Sequence, residues 1–199
     1  MDRIISETDK DGNTLLELNL DGRGALDAPI DFSFLQHMLE AFCRHGLFDL
    51  KIAPEAIGSP ASTEAILSTV GRIIGSAFAD ARDSHLQEPA SGHFTLPMDD
   101  VLVRTSLDLY SDESNLNYRV KVKHSQIRSF NLHQLEAFFQ AFTEEAGINL
   151  HIHLVYGKDP HHAAEAVFKC FARALYAAIE IRPPQASESL WQRLKTACR

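Results

Sequence analysis

Two adjacent histidines open the chemically richest stretch of the chain, His161-His162-Ala163-Ala164-Glu165, with Lys169 four residues further on. Residues three and four apart share a helix face, so either histidine can stand beside Glu165. Imidazole with carboxylate is a ligand set for transition ions. The neighbouring histidine, turned by about 100°, addresses a second site. The plainer alternative is a solvated helix start, because Asp159-Pro160 is a capping signal and histidines just after it can be ordinary surface. Elsewhere His151 and His153 alternate with Leu150, Ile152 and Leu154, which places both on one side of a strand as part of a sheet face. His45 before Gly46 reads as the closing signal of a helix, where glycine is favoured.

Those residues must be positioned by a sizeable core, and 199 residues at 45% apolar content supply one. No apolar run approaches membrane-spanning length, and Met1-Asp2-Arg3 leads into polar sequence, so neither a membrane span nor a signal peptide is expected. Cys43, Cys170 and Cys198 are odd in number and lack a CxxC. This argues for a reducing compartment and against a disulfide framework or a cysteine zinc site. A formal net charge of −8 gives no footprint for nucleic acid. A cytoplasmic protein without nucleic-acid or membrane partners is the expectation.

Partial alternation of apolar and polar residues predicts strands at Leu15–Leu20, Val101–Leu109, Asn117–Lys123 and Asn149–Leu154, with a shorter one at Phe48–Ile52. Helical spacing marks Ser33–His45, Ser62–Ala81, Leu132–Ala146 and His161–Ile181. The order is strands, helix, strand, helix, and then the same again. A break falls near Gln87–Ser91, where Pro89 and Gly92 punctuate the chain. An internal repeat supports duplication: at a shift of 101, Glu64 falls on Glu165 and Arg72 on Arg173. Leu39-Glu40-Ala41-Phe42 also recurs as Leu135-Glu136-Ala137-Phe138, at a shift of 96, about one helical turn out of step. The expected fold class is α/β (α+β), with internally duplicated β-α-β-α halves, 1–88 and 89–183, packed as one domain and followed by a tail, 184–199. Leftover apolar faces predict an oligomer.

At this level of detail the chain resembles the imidazoleglycerol-phosphate dehydratases of histidine biosynthesis. The resemblance rests on Phe34-Leu35-Gln36-His37-Met38-Leu39, Arg44 to Leu50, Leu96-Pro97-Met98-Asp99-Asp100, Asn149-Leu150-His151-Ile152 and His161 to Leu175, in family order. Arg3-Ile4-Ile5-Ser6-Glu7-Thr8 resembles the family opening RxTxET, with Ile5 for the first threonine. The resemblance implies a duplicated α/β domain, trimers, and metal-bridged assembly of trimers into a shell. It also implies two manganese ions that hold the substrate's imidazole while a glutamate removes a carbon-bound proton and a hydroxyl leaves, with no organic cofactor.

Carried over residue by residue, the apparatus is incomplete. His37 matches the DHM histidine, and His161, His162 and Glu165 match the second HHxxE in full. In the first HHxxE, Glu64 remains while the histidines are Pro60 and Ala61, and the EHFF histidine aligns with Ala137. His133 lies one turn, about 5.4 Å, before Ala137, and reads as a plain polar helix residue. The family's phosphate-binding cations fall at Ala90, Asp112 and Ser187-Glu188, which removes attraction and adds like charge. The expected metal ligands are therefore His37, His161, His162, Glu165 and Glu64, for one Mn or Zn ion at a partial site. Glu165 and Glu64 are the catalytic candidates, and Glu7, Met98 and Lys169 the candidates for contact with a small-molecule ligand. Three readings follow: a non-catalytic family member, a one-metal enzyme on another, unphosphorylated small molecule in a pocket without clustered Arg or Lys, or a working dehydratase. Incomplete sites predict a homo-oligomer that stops at a trimer.

Overall fold

A computed structural model describes residues 3–60, 62–86, 90–111 and 113–180. Strands β1 (Ile4–Thr8), β2 (Thr14–Asn19) and β3 (Leu26–Asp27) come first. Helix α1 (Ser33–Gly46), strand β4 (Asp49–Ile52), the short α2 (Pro54–Ile57) and the long α3 (Thr63–His85) follow. The second half contains β5 (Ser91–Met98), β6 (Val101–Asp108), β7 (Asn115–Arg119) and the small β8 (Gln126–Ile127) and β9 (Phe130–Asn131). A 3-10 turn at Leu132–Gln134 then leads to α4 (Leu135–Ala146), β10 (Asn149–Tyr156) and α5 (Pro160–Ile179). Strands β1 and β5 were not expected: in β1 Glu7 shares the inward side with Ile5, and in β5 Gly92 and Pro97 weaken a pattern that otherwise alternates around Phe94, Leu96 and Met98. The strand expected over Asn117–Lys123 lies two residues earlier and ends at Arg119. Ala61, Pro89, Asp112 and the tail from 184 lie outside the described residues.

Both sheets have one strand order, β1-β2-β4-β3 and β5-β6-β10-β7. In each, the last pair is parallel and the other pairs are antiparallel. The fold is thus an internally duplicated α/β arrangement. Burial fixes its internal register. Leu35, Leu39, Phe42 and Gly46 of α1 correspond, at a shift of 100, to Leu135, Phe139, Phe142 and Ala146 of α4, all buried. The Leu-Glu-Ala-Phe recurrence at 96 is therefore one turn out of register. Helices α3 and α5 correspond at 101, with Leu67, Val70, Ile74 and Phe78 matching the buried Phe168, Phe171, Leu175 and Ile179.

Helices α1 and α3 cover the first sheet, and α4 and α5 the second; α1 then packs on α5 and α3 on α4. The order of layers is sheet, helices, helices, sheet. At its centre Phe42 stacks on Phe171 with ring centroids 5.7 Å apart, and Phe78 meets Phe142 edge-on at 5.7 Å. Each such fully buried ring contributes about 1.5–3 kcal/mol. Gly71 and Gly75 allow α3 to approach α4 closely: a Cβ at Gly71 would collide with the Phe138 carbonyl oxygen, and one at Gly75 would lie 2.7 Å from that of Phe142. Helix α1 ends at Gly46, as the His45-Gly46 signal predicts, but the glycine is not the residue that turns the chain. Leu47 takes the left-handed conformation (φ 56°), as Gly147 does after α4, while Gly46 is required because a side chain would run into the Phe48 ring.

Candidate metal centre

Helix α5 begins where the sequence signalled. The Asp159 carboxylate accepts hydrogen bonds from the backbone N–H of His161 (2.8 Å) and His162 (3.0 Å), and Pro160 occupies the first turn. That cap fixes both histidines at the helix start. Packing of α1 on α5 brings His37 alongside. His37 Nε2 and His161 Nε2 lie 3.9 and 3.6 Å from the same oxygen, Oε2 of Glu165. The two imidazoles stack at 13° with centroids 6.0 Å apart, and Phe34 meets His161 edge-on. Among the described residues, this is the group in which three potential metal-ligating atoms lie within 4.8 Å of one another.

The other oxygen of Glu165, Oε1, accepts from Lys169 Nζ at 2.7 Å, and Met98 Sδ lies 3.4 Å from the same nitrogen. Burial pushes the Glu165 carboxyl up, but Lys169, with His37 and His161, holds it below its ordinary range. The group is therefore a carboxylate at neutral pH, ready to accept a cation. Burial first, then the charges of Lys169, Arg173 and Arg44, push His45 below its ordinary value. Of these cations, Lys169 is the one in contact with the cluster, through Glu165.

His162 faces elsewhere, as the 100° turn requires. Its Nδ1 donates to Asp100 Oδ1 at 2.9 Å, and its Nε2 lies 3.8 Å from Asp99 Oδ2 in the β5–β6 hairpin. Asp100 also accepts from the backbone N–H of Lys158 and Asp159. The His162 bond first, and then the two backbone bonds, hold its carboxyl at about 2, and the bond to Asp100 raises His162 above its ordinary value. This pairing was not expected from the sequence, because 62 residues separate the partners and no spacing rule links them.

Two further candidates are not brought to the cluster. Glu64 lines an open groove of about 760 Å³ with Asn131, His133, Glu136, Ala137 and Gln140. Glu7 accepts from the Ser76 hydroxyl at 2.8 Å, between β1 and α3. By the register of the duplication the Glu64 groove is the counterpart of the cluster: Ala137 stands where His37 does, and Pro60 where His161 does. His133 lines this groove from the 3-10 turn and not from α4 itself.

The site and the fold point the same way as comparison with known proteins. Residues 31–175 match the imidazoleglycerol-phosphate dehydratase family. The chain is 36% identical over 179 residues to the imidazoleglycerol-phosphate dehydratase of Caldanaerobacter subterraneus, covering 90% of this chain and 89% of that protein. It is 38% identical over 175 residues to that of Heliobacterium modesticaldum, covering 88% and 89%. The crystal structure of the Staphylococcus aureus dehydratase aligns with a TM-score of 0.76 at 25% identity, over 90% of this chain and 99% of that one. The chain belongs to the imidazoleglycerol-phosphate dehydratase family.

The donor set fits one divalent ion. Two imidazole nitrogens and one carboxylate oxygen lie within 4.8 Å of one another, a donor set that suits first-row transition ions. A second, equivalent centre does not fit the residues of one chain, since its counterpart positions carry Ala137 and Pro60.

Proposed function

We propose that this chain is a divergent member of the dehydratase family that holds one Mn or Zn ion through His37, His161 and Glu165 and does not carry out the family's two-metal dehydration. The observation that carries this reading is the contrast between the two halves: a converged three-donor cluster in one, and an alanine and a proline at the counterpart positions in the other. A bound ion acts as a Lewis acid that polarises a ligand and stabilises developing charge. Around it, Glu165 supplies the anionic ligand, Lys169 holds that carboxylate, and Met98 supports the lysine from the β5–β6 hairpin. His162 and Glu64 are further ligands in this reading only if a second copy presents them to the cluster. Glu64 and Glu165, the candidates for proton transfer, and Glu7, a candidate for contact with a small-molecule ligand, belong to a reading as an active enzyme; in the present one Glu165 has both oxygens engaged, and Glu64 and Glu7 lie away from the cluster.

Identity of 36–38% to proteins named as the dehydratase favours a second reading, an active imidazoleglycerol-phosphate dehydratase with replacement ligands. A one-metal enzyme for an unphosphorylated molecule calls for a pocket without clustered Arg or Lys, and the cation in contact with the cluster is Lys169, on the Glu165 carboxylate. No organic cofactor enters any of these readings. The chain is further proposed to be a cytoplasmic homo-oligomer, a trimer, with the duplicated halves 1–88 and 89–183 forming a single domain ahead of the tail.

One pair of measurements tests the reading. Metal content after manganese or zinc loading is expected to be near one ion per chain in the wild type and to fall to background in His161→Ala. Expression in a strain lacking the dehydratase is expected to leave it unable to grow without histidine. Growth restored to normal would overturn the reading in favour of the second.

A further inference from the structure

The cluster contains a carboxylate whose two oxygens have been given different work. Oε2 of Glu165 faces both imidazoles, while Oε1 is occupied by Lys169 at 2.7 Å. The lysine is one turn along α5, on the same face as His161 and Glu165, and it is only 20% exposed. A second contact comes from the neighbouring sheet, where Met98 Sδ lies 3.4 Å from the same nitrogen as a weak acceptor. The counterpart glutamate, Glu64, has Ser68 at the position equivalent to Lys169, which offers no ammonium. The held carboxylate is thus a property of the half that kept its imidazoles.

From this geometry we infer that Lys169 is a positioning residue that makes Glu165 a one-oxygen ligand and thereby sets which cations the cluster prefers. The inference rests on the proposed metal reading and adds selectivity to it. Alkaline-earth ions take six or more oxygen donors, and calcium commonly takes both oxygens of a carboxylate. A site whose second carboxylate oxygen is reserved for an ammonium offers them one oxygen and two nitrogens. Imidazole donors favour Zn and other late first-row ions instead. Lys169 therefore discriminates against calcium by withholding Oε1, a role distinct from direct contact with a ligand.

Removing the lysine has two opposed effects on affinity. Losing a positive charge beside the site strengthens binding of every dication, while freeing the carboxylate loses orientation. The ratio of affinities for two dications cancels the charge effect and leaves the geometric one. The experiment is calorimetric titration of metal-free protein with Zn²⁺ and with Ca²⁺, for wild type, Lys169→Met, Lys169→Arg and Met98→Leu, with circular dichroism confirming each fold. Substituting partners that orient a ligand changes metal affinity by about 10–100-fold, so the Zn-to-Ca ratio is expected to fall about tenfold or more in Lys169→Met. Lys169→Arg, which retains a donor for Oε1, is expected to keep most of the ratio, and Met98→Leu to lower it less than Lys169→Met does. A ratio unchanged in Lys169→Met, with zinc still bound, would overturn the inference while leaving the metal reading intact. Absence of zinc binding in the wild type would overturn both.

Discussion

Gly71→Ala sets two backbone effects against each other at the contact between α3 and α4. In an exposed helix interior, alanine in place of glycine is favourable by about 1 kcal/mol. Here the new Cβ would collide with the Phe138 carbonyl oxygen and lie 3.1 and 3.2 Å from that residue's C and Cα atoms. All three are backbone atoms of α4, near its start, so no side-chain rotation relieves the clash and the helices must separate. Overpacking of this kind costs about 1–3 kcal/mol. Because Phe138 also packs on Phe168 at 5.1 Å, separation loosens the aromatic centre and places the cost towards the upper end. The expected net loss is about 1–2 kcal/mol, or roughly 2–8 °C in Tm for a chain of this size. Gly75→Ala, whose Cβ would lie 2.7 Å from the Phe142 carbonyl oxygen and 3.0 Å from Glu145 Cβ, is expected to cost less. The double variant should cost less than the sum, since one displacement of α4 relieves both contacts. Urea unfolding at constant m-value measures each difference. A Gly71→Ala variant as stable as the wild type, or more so, would refute the argument that these glycines exist for the helix contact.

Two other expectations follow from buried and paired polar groups. The Tyr118 hydroxyl is buried against α4 and, among the described residues, lacks a hydrogen-bond partner; burial pushes its ionisation well above the ordinary range. Tyr118→Phe keeps the stacking on Phe139 and removes an unmet desolvation cost, so it should leave stability unchanged or raise it by about 1 kcal/mol in urea unfolding. A loss above that size would show a partner for the hydroxyl. In metal-free protein, the His162 midpoint followed by NMR should lie above 6.5, because Asp100 accepts from Nδ1 and favours the charged ring. The stabilisation linked to His162 is present below 6.5 and fades as pH rises through its folded midpoint. That linked to Asp100 is present above 3.8 and fades as pH falls towards about 2, so the pair is strongest between these limits. Asp100→Asn should bring the His162 midpoint back towards 6.5, and no change on that substitution would contradict the assigned bond.

Local signals carried the parts of this fold that depend on short range. Asp159-Pro160 marked the start of α5 because a carboxylate before a first-turn proline meets free backbone donors directly, and the i,i+4 relation of His161 to Glu165 was legible for the same reason. The place of His37 in the cluster came from a family motif, since nothing in the spacing from 37 to 161 states that α1 packs on α5. Partners 62 or more residues apart, such as Asp100 with His162 and Met98 with Lys169, depend on how a hairpin folds over a helix start, which no periodicity encodes. The repeat was visible through Glu64 and Glu165, and the shift of 96 in Leu-Glu-Ala-Phe is the one-turn slip the sequence suggested, because identical letters on a helix need not share its buried face. The 3-10 turn before α4 escaped detection because its residues fit helical spacing as well as those that follow.

The crossed packing of α1 on α5 and α3 on α4 has a consequence for the order in which the chain can fold. Phe42 on α1 meets Phe171 on α5, and Phe78 on α3 meets Phe142 on α4, so the chain must close loops of about 65 to 130 residues before its aromatic centre is complete. Such non-local pairing slows folding. During synthesis the first half emerges with Phe42 and Phe78 uncovered, and it stays so until α4 and α5 have been made. The same duplicated architecture therefore leaves the newborn first half sticky, and makes the second half its first and most necessary chaperone.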